Sequence, residues 1–161
     1  MPRNKGFTLI ELLVALVLLA LIVTAAAPLM QLNAKRHKEE ELRKSLWQIR
    51  DAIDAYKQAA DEGLIKKEID DNGYPPNLQI LVTGVESIKD AKTRKIYFLR
   101  RLPRDPFADD NSLKNDETWA KRSYENSFES GFDASTTNND VYDVASKLSE
   151  IGLNNQAYSS W

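Results

Sequence analysis

The chain has 161 residues, a formal net charge of −2 and a sequence pI near 5.5, so it carries no overall basic charge that would attract nucleic acid. It contains no cysteine, which excludes a disulfide framework and a thiolate metal site. Its one histidine, His37, leaves little basis for a histidine metal site or for Ser-His catalysis.

The first predicted element is an apolar segment with a basic leader in front of it. Arg3 and Lys5 precede the sequence Gly6-Phe7-Thr8-Leu9-Ile10-Glu11, and residues 12–27 contain no charge. A secretory signal peptide has its small-residue cleavage site after the apolar run. Here a glycine stands before the run and a single carboxylate stands near its start, which indicates a different kind of processing.

The apolar segment is long enough to span a membrane. Leu12–Met30 comprises 19 residues, which as a helix would extend about 28 Å against a hydrocarbon core of about 30 Å. Glu11 lies at its edge, where a carboxylate is either a harmless interfacial charge or a functional partner for a positive group. Pro28 removes a backbone donor, which membrane helices tolerate. Basic residues flank both ends, so charge alone does not decide the orientation.

Beyond the membrane segment, apolar residues recur at helical spacing. Six of them form one stripe: Leu42, Leu46, Ile49, Ile53, Tyr56 and Ala60. Opposite charges such as Glu39 and Arg43 lie one turn apart and are interpreted as pairs on a solvated helix face. Gly63 fits a C-terminal cap. The sequence therefore predicts one helix from about Phe7 to Glu62, about 80 Å long, apolar all round in its first half and amphipathic in its second.

The residues after this helix are predicted to form a small sheet. A turn at residues 72–76 is followed by a short helix or turn at residues 77–82. An apolar run at Ile96–Leu99 comes next, and strand-length runs rich in aromatic or β-branched residues follow at Trp119–Tyr124 and Val141–Ser146. Because an isolated hairpin is marginal in water, we expect two or three antiparallel strands to pack on the apolar stripe.

The N-terminal motif closely resembles the processing site of type IV pilins and type II secretion pseudopilins. The resemblance implies cleavage between Gly6 and Phe7 by a prepilin peptidase and N-methylation of Phe7. The new amine would lie one helical turn from Glu11, so a salt bridge within one subunit or between neighbouring subunits would neutralise both charges. In this family the contact is described as joining neighbouring subunits and setting the assembly register. The resemblance also implies that the stretch from about Ala20 to Pro28 loses helicity on assembly.

Motifs in the second half of the chain distinguish among the members of this group. They are Tyr74-Pro75 with Leu78 and Leu81, Leu102-Pro103-Arg104-Asp105-Pro106-Phe107, Trp119, Arg122-Ser123-Tyr124, Tyr142-Asp143-Val144 and Trp161. Together they look like a G-type pseudopilin, the major subunit of type II secretion pseudopili. The implied fold is α+β and pilin-like: a long N-terminal helix, half transmembrane and half amphipathic, packed against a small antiparallel β-sheet. The expected organisation is a cleaved leader at residues 1–6, a transmembrane and filament-core helix at 7–30, the amphipathic half at 31–63 and a globular body at 64–161.

The resemblance also implies a calcium ion, which major pseudopilins commonly bind through aspartates just before their final Trp. This chain departs from that pattern, because residues 151–161 contain no carboxylate side chain. Calcium takes about six to eight oxygen ligands, some of them usually anionic. Asp140 and Asp143 are the remaining calcium candidates, and no other cofactor is expected. We predict that a neutral network of backbone groups and the amides of residues 154–156 replaces the site.

A second group of polar, mostly acidic residues follows the proline-rich motif. Its members are Asp105, Asp109, Asp110, Asn111 and Asp116. They lack the glycine and the final glutamate of an EF-hand loop. The group is therefore interpreted as a solvated loop.

The predicted function is structural, with no catalytic residue. The chain would be a type II secretion pseudopilus subunit, anchored in the bacterial inner membrane by a single span with its body in the periplasm, and polymerised into a periplasmic filament that drives protein export. Its expected partners are further copies of itself, minor pseudopilins, the prepilin peptidase and the inner-membrane assembly platform. A type IV pilin or competence pseudopilin is the alternative. Glu11 argues against a subunit at the filament tip, since such a cap typically lacks this carboxylate.

A signal-anchored extracytoplasmic enzyme is the remaining interpretation. Small residues at positions 25–27 offer an ordinary cleavage site, but cleavage there would discard Glu11 and the processing motif. The body has no Gly-rich phosphate loop and no nucleophile elbow. The paired acids Asp70-Asp71 and Asp109-Asp110 lie in polar stretches that are expected to be loops. The size of the mature N-terminal fragment separates an enzyme from a filament subunit.

Overall fold

The computed structural model describes residues 6–67, 72–89, 94–124, 132 and 140–161. The chain divides into two compact units, residues 1–37 and 38–161, and the helix α1 (Leu9–Asp61) contributes residues to both. The leader residues Arg3 and Lys5 and the paired acids Asp70-Asp71 lie outside the described residues.

In the first unit, α1 presents apolar side chains on every side. The large side chains from Leu9 to Val23 are all exposed. This part of α1 is long and apolar enough to cross a membrane, and none of that window is buried. The helix continues through Pro28 without a break. These features fit the transmembrane half that the sequence predicts.

In the second unit, α1 buries one face only. All six residues of the predicted stripe are buried, and Leu42, Ile49 and Ile53 are fully inaccessible. The exposed residues between them keep the other face in contact with solvent. The predicted amphipathic half is therefore confirmed, because a 3.6-residue period places every member of the stripe on the same side.

The end of α1 is a Schellman motif. Gly63 adopts a φ of +66°, which a residue with a side chain rarely tolerates. The backbone N–H of Leu64 donates to the carbonyl oxygen of Ala59 at 2.9 Å, and that of Gly63 donates to Ala60 at 3.1 Å. Both carbonyls would otherwise lack a partner at the helix end, so the predicted glycine cap is confirmed.

The elements after α1 are short. They are α2 (Gln79–Thr83), β1 (Val85–Glu86), β2 (Lys95–Ile96), a 3₁₀ turn (Asn115–Thr118), β3 (Trp119–Arg122), β4 (Asp143–Ser146) and a 3₁₀ turn (Tyr158–Ser160). β1 pairs with β2 and β3 pairs with β4, both antiparallel. The α+β class and the two longer strands are confirmed, but the described strands form two separate ribbons rather than one sheet.

The run Ile96–Leu99 forms a strand only at its first residue. The backbone N–H groups of Phe98 and Leu99 both donate to the carbonyl oxygen of Leu81, at 3.0 and 2.9 Å. They bond to the short helix α2 instead of a neighbouring strand. The partner strand β1 was not expected from the sequence, because two residues are too few to show an alternating pattern.

Trp119 in β3 is the largest fully buried side chain. Only 1% of its surface is exposed, and its indole N–H donates to the carbonyl oxygen of Pro103 at 2.9 Å. It belongs to one buried cluster with the stripe of α1, Val144 of β4 and Tyr158. The tryptophan therefore fastens the β3–β4 ribbon to the core.

We expect Trp119→Ala to lower the free energy of unfolding of the body by about 3–5 kcal/mol, because it removes a buried aromatic side chain and leaves a cavity. Trp47→Ala is the matched control, since Trp47 lies on the outer face of α1 and is 63% exposed; its effect should stay within about 0.5 kcal/mol. Denaturant unfolding of the full chain in detergent, followed by near-UV circular dichroism, measures both. Equal losses for the two variants would contradict this account of the core.

Candidate functional site

The predicted cleavage site lies just outside the helix. Residues 6–8 precede the first helical residue, Leu9, and the Phe7 side chain is 84% exposed. A Cβ added at Gly6 would meet no atom within 4 Å, and Gly6 has no positive φ. The folded chain therefore gives no reason for a glycine at position 6. Cleavage between Gly6 and Phe7 stays a prediction.

Thr8 and Glu11 together begin α1. The Thr8 hydroxyl oxygen accepts a hydrogen bond from the backbone N–H of Glu11 at 3.3 Å, and the Thr8 carbonyl accepts from Leu12 at 3.2 Å. This is half of a capping box, a motif in which a glutamate three residues after the cap stabilises the helix start. Glu11 also places a negative charge at the positive end of the helix dipole. The pattern Thr-x-x-Glu at residues 8–11 is the sequence signal for this helix start.

Thr24 and Pro28, which lie one turn apart in α1, both weaken the backbone hydrogen bonding of the helix. Proline has no N–H, so the Thr24 carbonyl lacks its usual helical donor four residues on. The Thr24 hydroxyl donates to the carbonyl oxygens of Ala20 at 2.8 Å and Leu21 at 3.0 Å. Such bonds from a threonine to the preceding turn tend to bend helices. The assembly role predicted for Pro28 stays a prediction.

Asp143, one calcium candidate, is held by two arginines. Its Oδ1 accepts hydrogen bonds from Arg50 Nε at 2.8 Å and from the Val144 backbone N–H at 2.7 Å. Its Oδ2 accepts from Arg122 Nη2 at 2.8 Å. Arg50 also donates through Nη2 to the carbonyl oxygen of Val144 at 3.0 Å and to the main-chain oxygen of Trp161 at 2.6 Å. Asp143 thus links α1, β3 and β4.

Asp140, the other calcium candidate, bonds to the residues that follow β3. One carboxylate oxygen accepts from the Ser123 hydroxyl and the other from the Tyr124 backbone N–H at 3.3 Å. The structure does not gather Asp140 and Asp143 into a cation site: across residues 6–67, 72–89, 94–124, 132 and 140–161, no group of three or more His, Asp or Glu residues is placed to share a metal ion.

Glu39 is buried and bonds to the loop after β4. Only 8% of its surface is exposed. Its Oε1 accepts hydrogen bonds from the Leu153 backbone N–H and from the Tyr158 hydroxyl, both at 2.8 Å. The expected surface pair of Glu39 with Arg43 is therefore wrong. The Arg43 guanidinium lies instead over the Trp161 ring, 4.8 Å from its centroid.

A signal for this contact was present in the sequence. Glu39 stands three residues before Leu42, so it continues the apolar stripe by one further turn. A charged residue on the buried side of an amphipathic helix needs a polar partner inside the fold. The identity of that partner was not accessible, because Leu153 and Tyr158 lie more than 100 residues further along the chain.

Within the second acidic group, Asp109, Asp110 and Asn111 are exposed as the predicted solvated loop requires, but Asp105 is not. It is buried, and its Oδ2 accepts a hydrogen bond from the Ser146 hydroxyl of β4 at 2.6 Å. Its Oδ1 accepts from the backbone N–H of Phe107 at 2.8 Å. Asp116 pairs with Lys121 at 2.7 Å. Asp105 is therefore a structural bridge rather than part of a solvated loop.

Burial, and then the hydrogen bond to Glu39, raise the pKa of Tyr158 well above its ordinary value of 10.0. A raised pKa means that the folded state holds this proton more tightly than the unfolded state. The resulting stability is fully present below about pH 10 and is lost as the pH rises further.

We therefore expect the Tm of the full chain in detergent to fall above about pH 10, and to fall less steeply in Tyr158→Phe, which has no hydroxyl to titrate. Tyr124→Phe is the control, since the Tyr124 ring is exposed, and it should keep the wild-type slope. Calorimetry across this pH range measures all three proteins. A wild-type slope in Tyr158→Phe would show that Tyr158 does not contribute.

Known proteins resemble this chain both in its N-terminal motif and over most of its length. A family profile described as "Prokaryotic N-terminal methylation motif" matches residues 1–27. The chain is 28% identical over 117 residues to the type II secretion system core protein G of Klebsiella pneumoniae, a match that covers 70% of this chain and 76% of that protein. No solved structure matches the chain significantly.

Proteins of the same name from other bacteria give similar values. The Escherichia coli (strain K12) protein is 26% identical over 121 residues, covering 70% of this chain and 73% of its own length. The Vibrio cholerae protein is 26% identical over 113 residues, covering 68% and 70%. The methylation motif, the exposed apolar start of α1 and the small antiparallel ribbons agree with these matches, which make the chain similar over about 70% of its length to the core protein G of type II secretion systems.

Proposed function

We propose that this protein is a structural subunit of a type II secretion pseudopilus. A prepilin peptidase cuts between Gly6 and Phe7, Phe7 is N-methylated, and the mature chains polymerise into a periplasmic filament that drives protein export. The observation that carries the proposal is the position of Gly6-Phe7-Thr8-Leu9-Ile10-Glu11 at the start of a helix whose apolar side chains are exposed on every side. The names of the similar proteins favour this system over a pilus or a competence system.

The exposed apolar surface of α1 supports a role in assembly. Soluble monomers rarely expose contiguous apolar patches of more than a few hundred Å². The large side chains from Leu9 to Val23 must therefore be covered either by lipid or by other helices. Lipid covers this surface in a membrane-anchored subunit, and neighbouring helices cover it in a filament whose helices bundle. The same segment thus serves as membrane anchor and as filament core.

The lack of a structural role for Gly6 supports its role in processing. Neither φ nor close packing requires glycine there. A glycine with an exposed, non-helical neighbourhood leaves the backbone accessible to a peptidase. Cleavage at this point would create an amine on Phe7, close to the carboxylate of Glu11.

Glu11 has a local role and a proposed assembly role, and the two are separable. At the helix start, its backbone N–H donates to the Thr8 hydroxyl, and a glutamine would supply the same N–H. As the partner of a cationic N-terminus in an apolar surrounding it needs its charge, because an unpaired charge there is costly. We propose that the amine of Phe7 on a neighbouring subunit supplies that partner.

The weakened turn at Thr24 and Pro28 supports a conformational change on assembly. The Thr24 carbonyl lacks the amide donor that any residue except proline would provide at position 28. Unwinding therefore sacrifices fewer hydrogen bonds here than elsewhere in α1. We propose that the stretch from about Ala20 to Pro28 loses helicity in the filament.

The remaining parts of the proposal concern place and partners. The chain is membrane-anchored with a periplasmic body, and we place the anchor in the inner membrane. The partners would be further copies of the chain, minor pseudopilins, the prepilin peptidase and the inner-membrane assembly platform. The subunit acts mechanically, and we assign it no catalytic residue. Orientation rests on the processing site, since basic residues flank both ends of the span.

Intact-mass measurement of the membrane-extracted protein tests processing. We expect a chain that begins at N-methylated Phe7, because the peptidase would remove residues 1–6. Gly6→Ala in the same cells should reduce cleavage without changing the fold, since a Cβ at this position meets no other atom. A chain that begins near residue 27 or 28 would contradict the proposal and indicate an ordinary signal peptide.

Glu11→Gln tests the assembly charge. The glutamine keeps the backbone N–H that donates to Thr8 but removes the negative charge, so we expect processing and membrane insertion to persist while filaments are lost. Thr8→Ala is the matched control, because it removes the capping hydroxyl and leaves the charge in place. Electron microscopy and crosslinking of cells that overproduce the subunit measure filaments. Wild-type filaments from Glu11→Gln would exclude the charge as the assembly determinant.

A further inference from the structure

The loop after β4, residues 147–161, is the region where the family resemblance implies a calcium ion. The residues present there do not fit one. Residues 151–161 carry no carboxylate side chain, and the one acidic side chain of the whole loop, that of Glu150, is exposed. The side-chain amide of Asn154 is already engaged. Asn154 Oδ1 accepts from the Gln156 backbone N–H at 3.1 Å, and Asn154 Nδ2 donates to Gln156 Oε1 at 3.1 Å. Both polar atoms of the Asn154 amide are thus hydrogen-bonded to Gln156 within the turn.

Asp143, the calcium candidate closest to this loop in sequence, is a poor cation ligand. Both of its oxygens accept hydrogen bonds from guanidinium groups, those of Arg50 and Arg122, at 2.8 Å. Two positive charges at this distance repel a third. A cation would have to displace both arginines, and Arg50 would then also lose its bonds to Val144 and Trp161. The two arginines therefore disfavour a cation at Asp143.

The loop itself forms a closed turn. Its two sides meet in an antiparallel bridge between Ile151 and Ala157. The Gly152 backbone N–H donates to the Gln156 carbonyl oxygen at 2.8 Å, and Asn155 at the tip adopts a φ of +61°. Asparagine is one of the few residues that tolerate this conformation. The turn leaves the backbone N–H of Leu153 free to point out of the bridge.

That N–H bonds to Glu39. The Glu39 carboxylate reaches from α1 and accepts from both Leu153 and the hydroxyl of Tyr158, one donor from each side of the turn. Tyr158 is fully buried and stacks on Phe107 with a centroid distance of 4.4 Å. Its hydroxyl is protonated at neutral pH, as that of an ordinary tyrosine is, and therefore acts as a donor to Glu39. Hydrogen bonds to an ionised acceptor are about twice as strong as neutral ones.

Two further side chains on the same face of α1 hold the end of the loop. Arg43 lies over the Trp161 ring, and Arg50 donates to the main-chain oxygen of Trp161 at 2.6 Å. Positions 39, 43 and 50 share a helix face, since 11 residues make about three turns. All three attachments lie within the second unit.

We propose that the loop after β4 closes without a metal ion. In place of a bound cation, the carboxylate of Glu39 holds the two sides of the loop against α1. A calcium ion would gather carboxylate and carbonyl oxygens around a positive charge. Glu39 gathers an N–H and an O–H around a negative charge. The closure belongs to the folded body and stands whether or not the chain forms filaments.

The first arm of the test measures calcium dependence. The full chain in detergent is heated in millimolar calcium chloride and, separately, in EGTA. We expect the same Tm in both, because the loop after β4 closes through hydrogen bonds to Glu39 and needs no calcium ion. A cation that bound the folded chain at concentrations far above its Kd would raise the Tm by several degrees. Such a rise, or saturable calcium binding in calorimetric titration, would overturn the metal-independent closure.

The second arm tests Glu39. Glu39→Gln should lower the Tm by several degrees and increase hydrogen exchange at the Leu153 amide, because a neutral amide accepts more weakly than a carboxylate. Glu40→Gln is the matched control, since Glu40 is the exposed neighbour on the same helix. Should Glu39→Gln fail to fold, Tyr158→Phe removes one donor only and should still increase exchange at Leu153. Unchanged protection of Leu153 in Tyr158→Phe or Glu39→Gln would overturn the role of Glu39.

Discussion

Both ribbons of this protein are too short to be stable by themselves, and the buried stripe of α1 supplies what they lack. The β3–β4 ribbon has four residues in each strand and the β1–β2 ribbon has two. Two-stranded ribbons of this size are marginal in water, because one face remains unpacked. Trp119, Val144 and the stripe belong to one buried cluster, so the second half of α1 is the surface on which the body is built.

The same helix also supplies the polar attachments of the body. Glu39 accepts hydrogen bonds from the loop after β4, and Arg50 bonds to Asp143, Val144 and Trp161. A buried charge is tolerated only when it is paired or hydrogen-bonded, so each of these groups fixes the position of its partners. Apolar packing therefore attaches the ribbons to α1, while directional hydrogen bonds determine where the last loop lies against it.

The first half of α1, unlike the second, leaves its apolar side chains uncovered. Its large apolar side chains from Leu9 to Val23 are all exposed. Surface of this kind is stable only against lipid or against other helices. The second half of α1 thus buries its apolar face within the chain, while the first half leaves its apolar surface for lipid or other helices to cover. A membrane-anchored subunit of a filament requires this property.

The sequence by itself determined the features that depend on neighbouring residues. The processing motif, the apolar segment, the stripe from Leu42 to Ala60 and the glycine cap at Gly63 all follow from spacing within a few turns of helix. The strands β3 and β4 were also visible, because each carries a short run of β-forming residues.

Only the tertiary structure decided which distant groups meet. Glu39 looked like half of a surface ion pair, and it bonds instead to a tyrosine 119 residues away. Asp143 looked like a metal ligand, and two arginines hold it, one of them 93 residues away. Residue type and periodicity specify that a polar side chain on a buried face needs a partner, but the path of the chain selects the partner, and that path depends on all the packing at once.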